Sequence, residues 1–133
     1  MRHFKYKEFD SPDLKGSGKK NMNPIFLIFI DELRHRCKFP FRVTSGYRTQ
    51  EYQDDLTKRG YKTSKTRSAH QDGLAADIAI SDSKKRALFI GYAIELTHEL
   101  SLPFRMGIAG ANSGNFIHID IHTEKSSPRV WVY

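Results

Sequence analysis

Residues Phe116 to His122 read F-I-H-I-D-I-H, and few seven-residue patterns constrain a fold more tightly. Strict alternation is the period of a β-strand, in which successive side chains point to opposite faces. Ile117, Ile119 and Ile121 share one face, and His118, Asp120 and His122 share the other. The isoleucine face needs a hydrophobic core beneath it, while the opposite face needs water, polar partners or a cation. A sheet covered on one side and chemically active on the other follows.

A second segment asks for the same surroundings. Ser68 to Asp77 reads S-A-H-Q-D-G-L-A-A-D, which sets His70 and Asp77 on either side of Gly73, with small Ala75 and Ala76 suiting a tightly packed strand after a turn. Two ligands do not make a zinc site, and the third is to be sought on the polar face of 116–122. Two neutral imidazoles and one carboxylate would leave a tetrahedral Zn²⁺ with a free position for water, the arrangement of a catalytic zinc. Closed structural sites use four protein ligands, mostly thiolates, and Cys37 is the only cysteine.

A chain of 133 residues fits one domain, 1–133, and its 38% hydrophobic content is enough for a core without disulfides. The N-terminal M-R-H-F-K-Y-K lacks the apolar stretch of a signal peptide, so synthesis in a cytoplasm is expected. The apolar run 24–30 is too short to span a bilayer and is followed at once by Asp31 and Glu32. With 22 Lys and Arg against 15 Asp and Glu, the formal charge of +7 favours anionic partners: nucleic acid, lipid headgroups or the acidic polymers of bacterial walls. The basic residues are dispersed, and no zinc finger, arginine-rich tail or RNP-like strand points to nucleic acid.

In chain order, residues 1–20 read as an ordered arm and loop, with Phe4, Tyr6 and Phe9 set among lysines before Pro12, Gly16 and Gly18. Asn23 caps a helix running from Pro24 to Lys38, which turns Ile25, Phe26, Ile28, Phe29, Leu33 and Cys37 inward and Asp31, Glu32, Arg34 and Arg36 outward. Strand 41–45 delivers Tyr47 and Arg48 to the rim of a cleft. A helix over 49–59, capped by Thr49, stops at Gly60, and 61–67 reads as a mobile polar loop. After a strand ending at Ile80, Ser81 or Ser83 caps a helix over 84–100 with Ala87, Leu88, Ile90, Ala93, Ile94, Leu96 and Leu100 on its apolar face. Strands 104–108, 116–122 and 129–133 follow, the last paired with the one before it. Three or four strands joined largely by hairpins, with helices on one face, make an α+β domain with a small, mostly antiparallel sheet.

Taken with S-G-Y-R at Ser45–Arg48 and I-H-I-D at Ile117–Asp120, the pattern S-x-H-x-x-G-x-A-x-D resembles the M15 family of zinc peptidases. That family includes D-alanyl-D-alanine carboxypeptidases and murein endopeptidases and shares its fold with hedgehog signalling domains. F-I-H-I-D-I followed by a short turn and R-V-W, and K-E-F-D-S-P-D near the N-terminus, are similar to one subgroup, so the likeness spans nearly the whole chain. The resemblance implies a hedgehog/DD-peptidase-like fold and Zn²⁺ held by His70, Asp77 and His118. It also implies that Arg48 binds a substrate carbonyl or carboxylate, while Ser68 either hydrogen-bonds substrate or shapes the loop. Tyr47, at the cleft rim, and His122, on the face of His118, join the expected substrate-binding residues, the alternative for His122 being an exposed histidine at the strand end.

The chain departs from the family at Asn115, three residues before the last ligand, where better-known members carry an acid or histidine as base. Asp120 is the expected catalytic substitute, accepting the proton of the attacking water; the alternative is a carboxylate that orients a ligand. The implied activity is hydrolysis of peptidoglycan stem-peptide or cross-link amide bonds by a monomer acting on the bacterial wall, where a basic surface meets anionic polymers. Without a signal peptide, a phage or prophage lysis enzyme (an endolysin) is the expected source. The alternatives are a non-catalytic zinc-binding module of the same fold and, on charge alone, a nucleic-acid-binding phage protein.

Overall fold

The structure, a computed structural model, describes residues 1–64 and 66–133. The alternating segment forms β4 (Phe116–Asp120), flanked on both sides by antiparallel partners, β2 (Ala75–Ala79) and β3 (Arg105–Ile108). β1 (Arg42–Ser45) adds antiparallel to β2, and β5 (Arg129–Val132) adds parallel to β3, giving one five-stranded sheet in the order β1-β2-β4-β3-β5. The mostly antiparallel α+β architecture is as expected, with five strands rather than three or four. The expected pairing of the last strand with 116–122 is not found. Both edges of β4 are already hydrogen-bonded, so the returning chain passes to the open edge of β3 and runs parallel to it.

Four helices accompany the sheet among the described residues: α1 (Ser17–Asn21), α2 (Pro24–Cys37), α3 (Gln50–Lys58) and α4 (Ser83–Glu99). Ile117 and Ile119 are fully buried in a cluster that also holds Phe26, Phe29, Ile30 and Leu33 of α2 and Phe89, Ala93 and Leu96 of α4. Each such isoleucine contributes about 2 kcal/mol relative to an exposed one, which anchors β4 by its apolar face and leaves the other free for chemistry.

Asn23 begins α2 as expected, its side chain accepting from the Ile25 N–H at 2.8 Å. The buried stripe is Phe26, Leu27, Phe29, Ile30, Leu33 and Cys37, so Ile25 and Ile28, expected inside, are exposed, and Asp31, expected outside, is buried. The N-terminal arm is the reason. It lies along the helix and donates the Arg2 and His3 N–H groups to the Asp31 carboxylate at 3.1 and 2.9 Å. The cap of α4 is Asp82, accepting from the Lys85 N–H, rather than Ser81 or Ser83. Phe89, Ala93, Leu96 and Thr97 are its buried residues, while Ala87, Leu88, Ile94 and Leu100 face outward. A helix lying on a sheet beside one neighbour hides only a stripe of its surface.

Lys65, within the loop expected over 61–67, lies outside the described residues. Among the described residues no helix is long and apolar enough to cross a membrane.

Candidate metal centre

The polar face of the sheet carries Asp77 and His118, which stand opposite one another in the β2–β4 register. His70 reaches them from a 3-10 turn, Ala69–Asp72, that precedes β2. Its own sequence closes that turn: Ser68 Oγ accepts from the His70 N–H at 3.3 Å, and Gln71 Oε1 accepts from the Ser68 N–H at 3.0 Å. His70 Nε2, His118 Nδ1 and Asp77 Oδ1 converge, with separations of 3.2, 3.0 and 3.2 Å around the triangle. All three residues are buried.

The outer edges of the two rings decide what meets at the centre. His70 Nδ1 lies 2.7 Å from the Gly46 carbonyl, which can only accept, so that nitrogen carries the proton. His118 Nε2 lies 2.8 Å from Asp120 Oδ2 and likewise donates. In the neutral rings this leaves two nitrogen lone pairs and a carboxylate oxygen facing one another with no donor between them. Buried acceptors do not cluster so unless something positive joins them. Ligand atoms bound tetrahedrally at ~2.0–2.1 Å stand roughly 3.3 Å apart, close to the observed triangle. The His-Asp-His cluster can hold a metal ion.

Without a cation, a proton fills the gap. Burial by itself would lower the His118 pKa, but the Asp120 and Asp77 carboxylates outweigh it and push it up to about 9. Burial also works against ionised Asp77, yet the charge and hydrogen bond of protonated His118, with His70 beside it, hold it well below the usual carboxylate range. An unfolded histidine titrates at about 6.5, so the metal-free fold has this stabilisation in full below that pH and loses it as pH rises through about 9. The calorimetric unfolding midpoint of chelated protein is therefore expected to fall across that window. Metal-loaded protein has no His118 proton to lose at Nδ1 and should not follow; a chelated midpoint that climbs instead would contradict the assignment.

Arg48 lines the cleft and grips the metal-site carboxylate from behind. Its Nη2 donates to Asp77 Oδ2 at 2.9 Å, its Nε to Ser45 Oγ at 2.9 Å and its Nη1 to Gln53 Oε1 at 3.3 Å. A guanidinium has five N–H groups, so these three bonds leave two for another ligand. Ser68 also lines the cleft, with its hydroxyl engaged as the turn's cap.

Asp120 does not stand where the expected proton acceptor would. It lies across the His118 ring from the converging nitrogen; Oδ2 accepts from His118 Nε2, and Oδ1 accepts from Arg105 Nε at 2.9 Å and the His122 N–H at 3.1 Å. Both oxygens are engaged and the residue is 1% exposed, which fits the alternative of orienting a ligand. Tyr47 and His122 are not among the cleft-lining residues. Tyr47 packs half-buried against the core. His122, rather than facing substrate, is buried with Nε2 2.8 Å from Asp72 Oδ2, tying the end of β4 to the turn that carries His70. Asn115 sits exposed in the β3–β4 connection in the left-handed region, φ 52°, which asparagine tolerates.

A cleft of about 290 Å³ opens over the cluster, and its walls include residues to which the sequence assigned no place in the site: Lys62, Arg105, Phe116, Lys125, Trp131 and Tyr133. Arg105 was within reach, since pairing 104–108 with 116–122 sets it opposite Asp120. Trp131, its ring centroid 5.5 Å from that of His118, was hidden by the mistaken placement of the last strand.

No protein-family profile matches the chain, and no curated protein matches it. Among solved structures, the fold is similar to that of the Serratia marcescens L-Ala D-Glu endopeptidase ChiX, with a TM-score of 0.62 and 19% identity over 77% of this chain and 82% of that one. The chain thus shares the fold of that endopeptidase, and it carries a buried His-Asp-His cluster that can hold a metal ion at the floor of a cleft.

Proposed function

We propose that the chain is a zinc-dependent peptidase that hydrolyses peptidoglycan stem-peptide or cross-link amide bonds. The observation that carries this is the convergence of His70 Nε2, His118 Nδ1 and Asp77 Oδ1 with no donor between them, beneath an open cleft. Two imidazoles and one carboxylate suit zinc, and three protein ligands leave room for a reacting group. Zinc held there supplies Lewis acidity toward a carbonyl oxygen and lowers the pKa of a bound water.

The chain's own residues do the rest. Arg105 holds Asp120 in place, Asp120 keeps the His118 proton on Nε2, and Nδ1 is thereby left free to bind. Arg48 fixes the rotamer of Asp77 and offers its remaining N–H groups to a substrate carbonyl or carboxylate. Burial raises the Tyr133 pKa, so its hydroxyl stays protonated at neutral pH and can donate into the cleft. The activity named for the structural neighbour, cleavage between L-Ala and D-Glu, supports stem peptides as the substrate class. The charge of +7 suits anionic wall polymers, and a monomeric wall-lysis enzyme of phage or prophage origin fits this reading.

One observation favours a second reading, a zinc module without catalysis: among the described residues lining the cleft the carboxylates are Asp77 and Asp120, and both are fully engaged. Digestion of purified peptidoglycan by zinc-loaded protein, followed by mass spectrometry, separates the two. New peptide fragments that vanish on chelation are expected, and their masses name the bond. Stoichiometric zinc with no cleavage of any wall type would leave the non-catalytic module.

A further inference from the structure

The cleft has two unlike ends. β4 crosses its floor from Phe116 to Asp120. At the Phe116 end stand the rings of Phe116 and Tyr133, their centroids 5.1 Å apart. At the Asp120 end lie Arg105, paired with Asp120 in the sheet, and Lys125, from the connection between β4 and β5. Lys125 Nζ reaches the segment that follows α3, at 3.4 Å from Ser64 Oγ and 3.2 Å from Thr66 Oγ1, and the same segment brings Lys62 into the cleft wall.

Charge is distributed just as unevenly. Two of the four lining cations are matched: Arg48 pairs with Asp77 and Arg105 with Asp120, each at 2.9 Å. Lys62 and Lys125 form no ion pair among the described residues, and the lining holds no further carboxylate for them. A metal ion on the three-residue cluster adds positive charge. The cleft is thus left with uncompensated cations at one end and an apolar wall at the other, a field that favours an anion at the cationic end.

We infer that Lys62 and Lys125 form a carboxylate-binding subsite, so that the cleft selects peptides bearing a free carboxylate near the bond to be cut over their neutral carboxamides. The cleavage step rests on the peptidase reading; the subsite itself does not. An ammonium reads charge more than shape, so the matched neutral isostere, which fills the same space, is the informative competitor. Lys62 is exposed and Lys125 half-buried, so both act partly through solvent, and their contribution must weaken as salt rises.

The test uses the zinc-loaded protein and two synthetic tripeptides containing L-Ala-D-Glu, one with the glutamyl carboxylate free and one with it converted to the carboxamide. Kd for each is measured by calorimetry, and KM wherever cleavage occurs. The wild type is expected to bind the acid about tenfold more tightly at low salt, with the ratio collapsing toward one in the Lys62→Ala/Lys125→Ala double variant and at high salt. Equal binding of acid and amide by the wild type overturns the inference, as does a preference that survives the double variant. Carboxylate-dependent binding without cleavage would retain the subsite and count against the peptidase; cleavage of both peptides with equal KM would do the reverse.

Discussion

If the chain is the zinc peptidase proposed above, replacing His118 by alanine is expected to strip the metal from the protein and lower peptide cleavage by about a thousandfold or more, with the fold retained. Only His70 and Asp77 would remain of the three converging groups. The fold survives because β4 is held elsewhere: its backbone is paired on both sides, and Ile117 and Ile119 anchor it from the other face. Neither flanking carboxylate is orphaned, since Asp77 keeps Arg48 and Asp120 keeps Arg105 and the His122 N–H. His122→Ala is the informative comparison. It shares the polar face in sequence but is bound to Asp72, so it should keep stoichiometric metal and lose roughly 1–2 kcal/mol of stability instead. Metal content after dialysis, cleavage rate and circular dichroism on the two variants decide the matter. A His118→Ala protein that still holds one metal ion per chain would rule out the proposed ligand set.

That contrast marks what the sequence could convey. Alternation alone identified the strand and sorted its residues into two faces, because both follow from backbone geometry. It could not choose among His118, Asp120 and His122, since the choice depends on which of them the β2–β4 register sets beside Asp77. Asp120 looked like a base for a related reason. A carboxylate near a metal ligand has two uses, and only the arrival of Arg105 from another strand reveals that its oxygens are occupied. The parallel placement of β5 was beyond local reasoning as well, because neighbours in sequence pair unless the edge is taken, and β3 takes it. Asp31 makes the same point in the core: a charged residue on a helix flank reads as exposed until an arm some thirty residues earlier brings backbone donors to it.

Gly73→Ala should be the most damaging small change in the chain, costing at least about 3 kcal/mol or preventing folding. The residue ends the turn that carries His70, with φ at 67°, in the left-handed region. Its carbonyl accepts the Asn23 N–H at 3.0 Å, so the strand entry and the start of α2 are drawn together there. A methyl group would meet backbone, not a yielding side chain: the Asn21 carbonyl oxygen blocks the space, and Met22 Cα lies 2.9 Å away. Gly60 separates the two sources of cost. Its φ is 85°, also left-handed, but nothing lies within 4 Å of its Cβ position, so Gly60→Ala should lose only about 1 kcal/mol from the backbone conformation. Urea unfolding of both variants in chelated and zinc-loaded form measures the difference. The Gly73 variant should also bind zinc more weakly, because any shift of the turn moves His70 Nε2 away from His118 Nδ1 and Asp77 Oδ1. Equal losses for the two variants would mean that the chain can yield at Asn21, and unchanged zinc affinity in the Gly73 variant would mean that His70 keeps its place without this turn geometry.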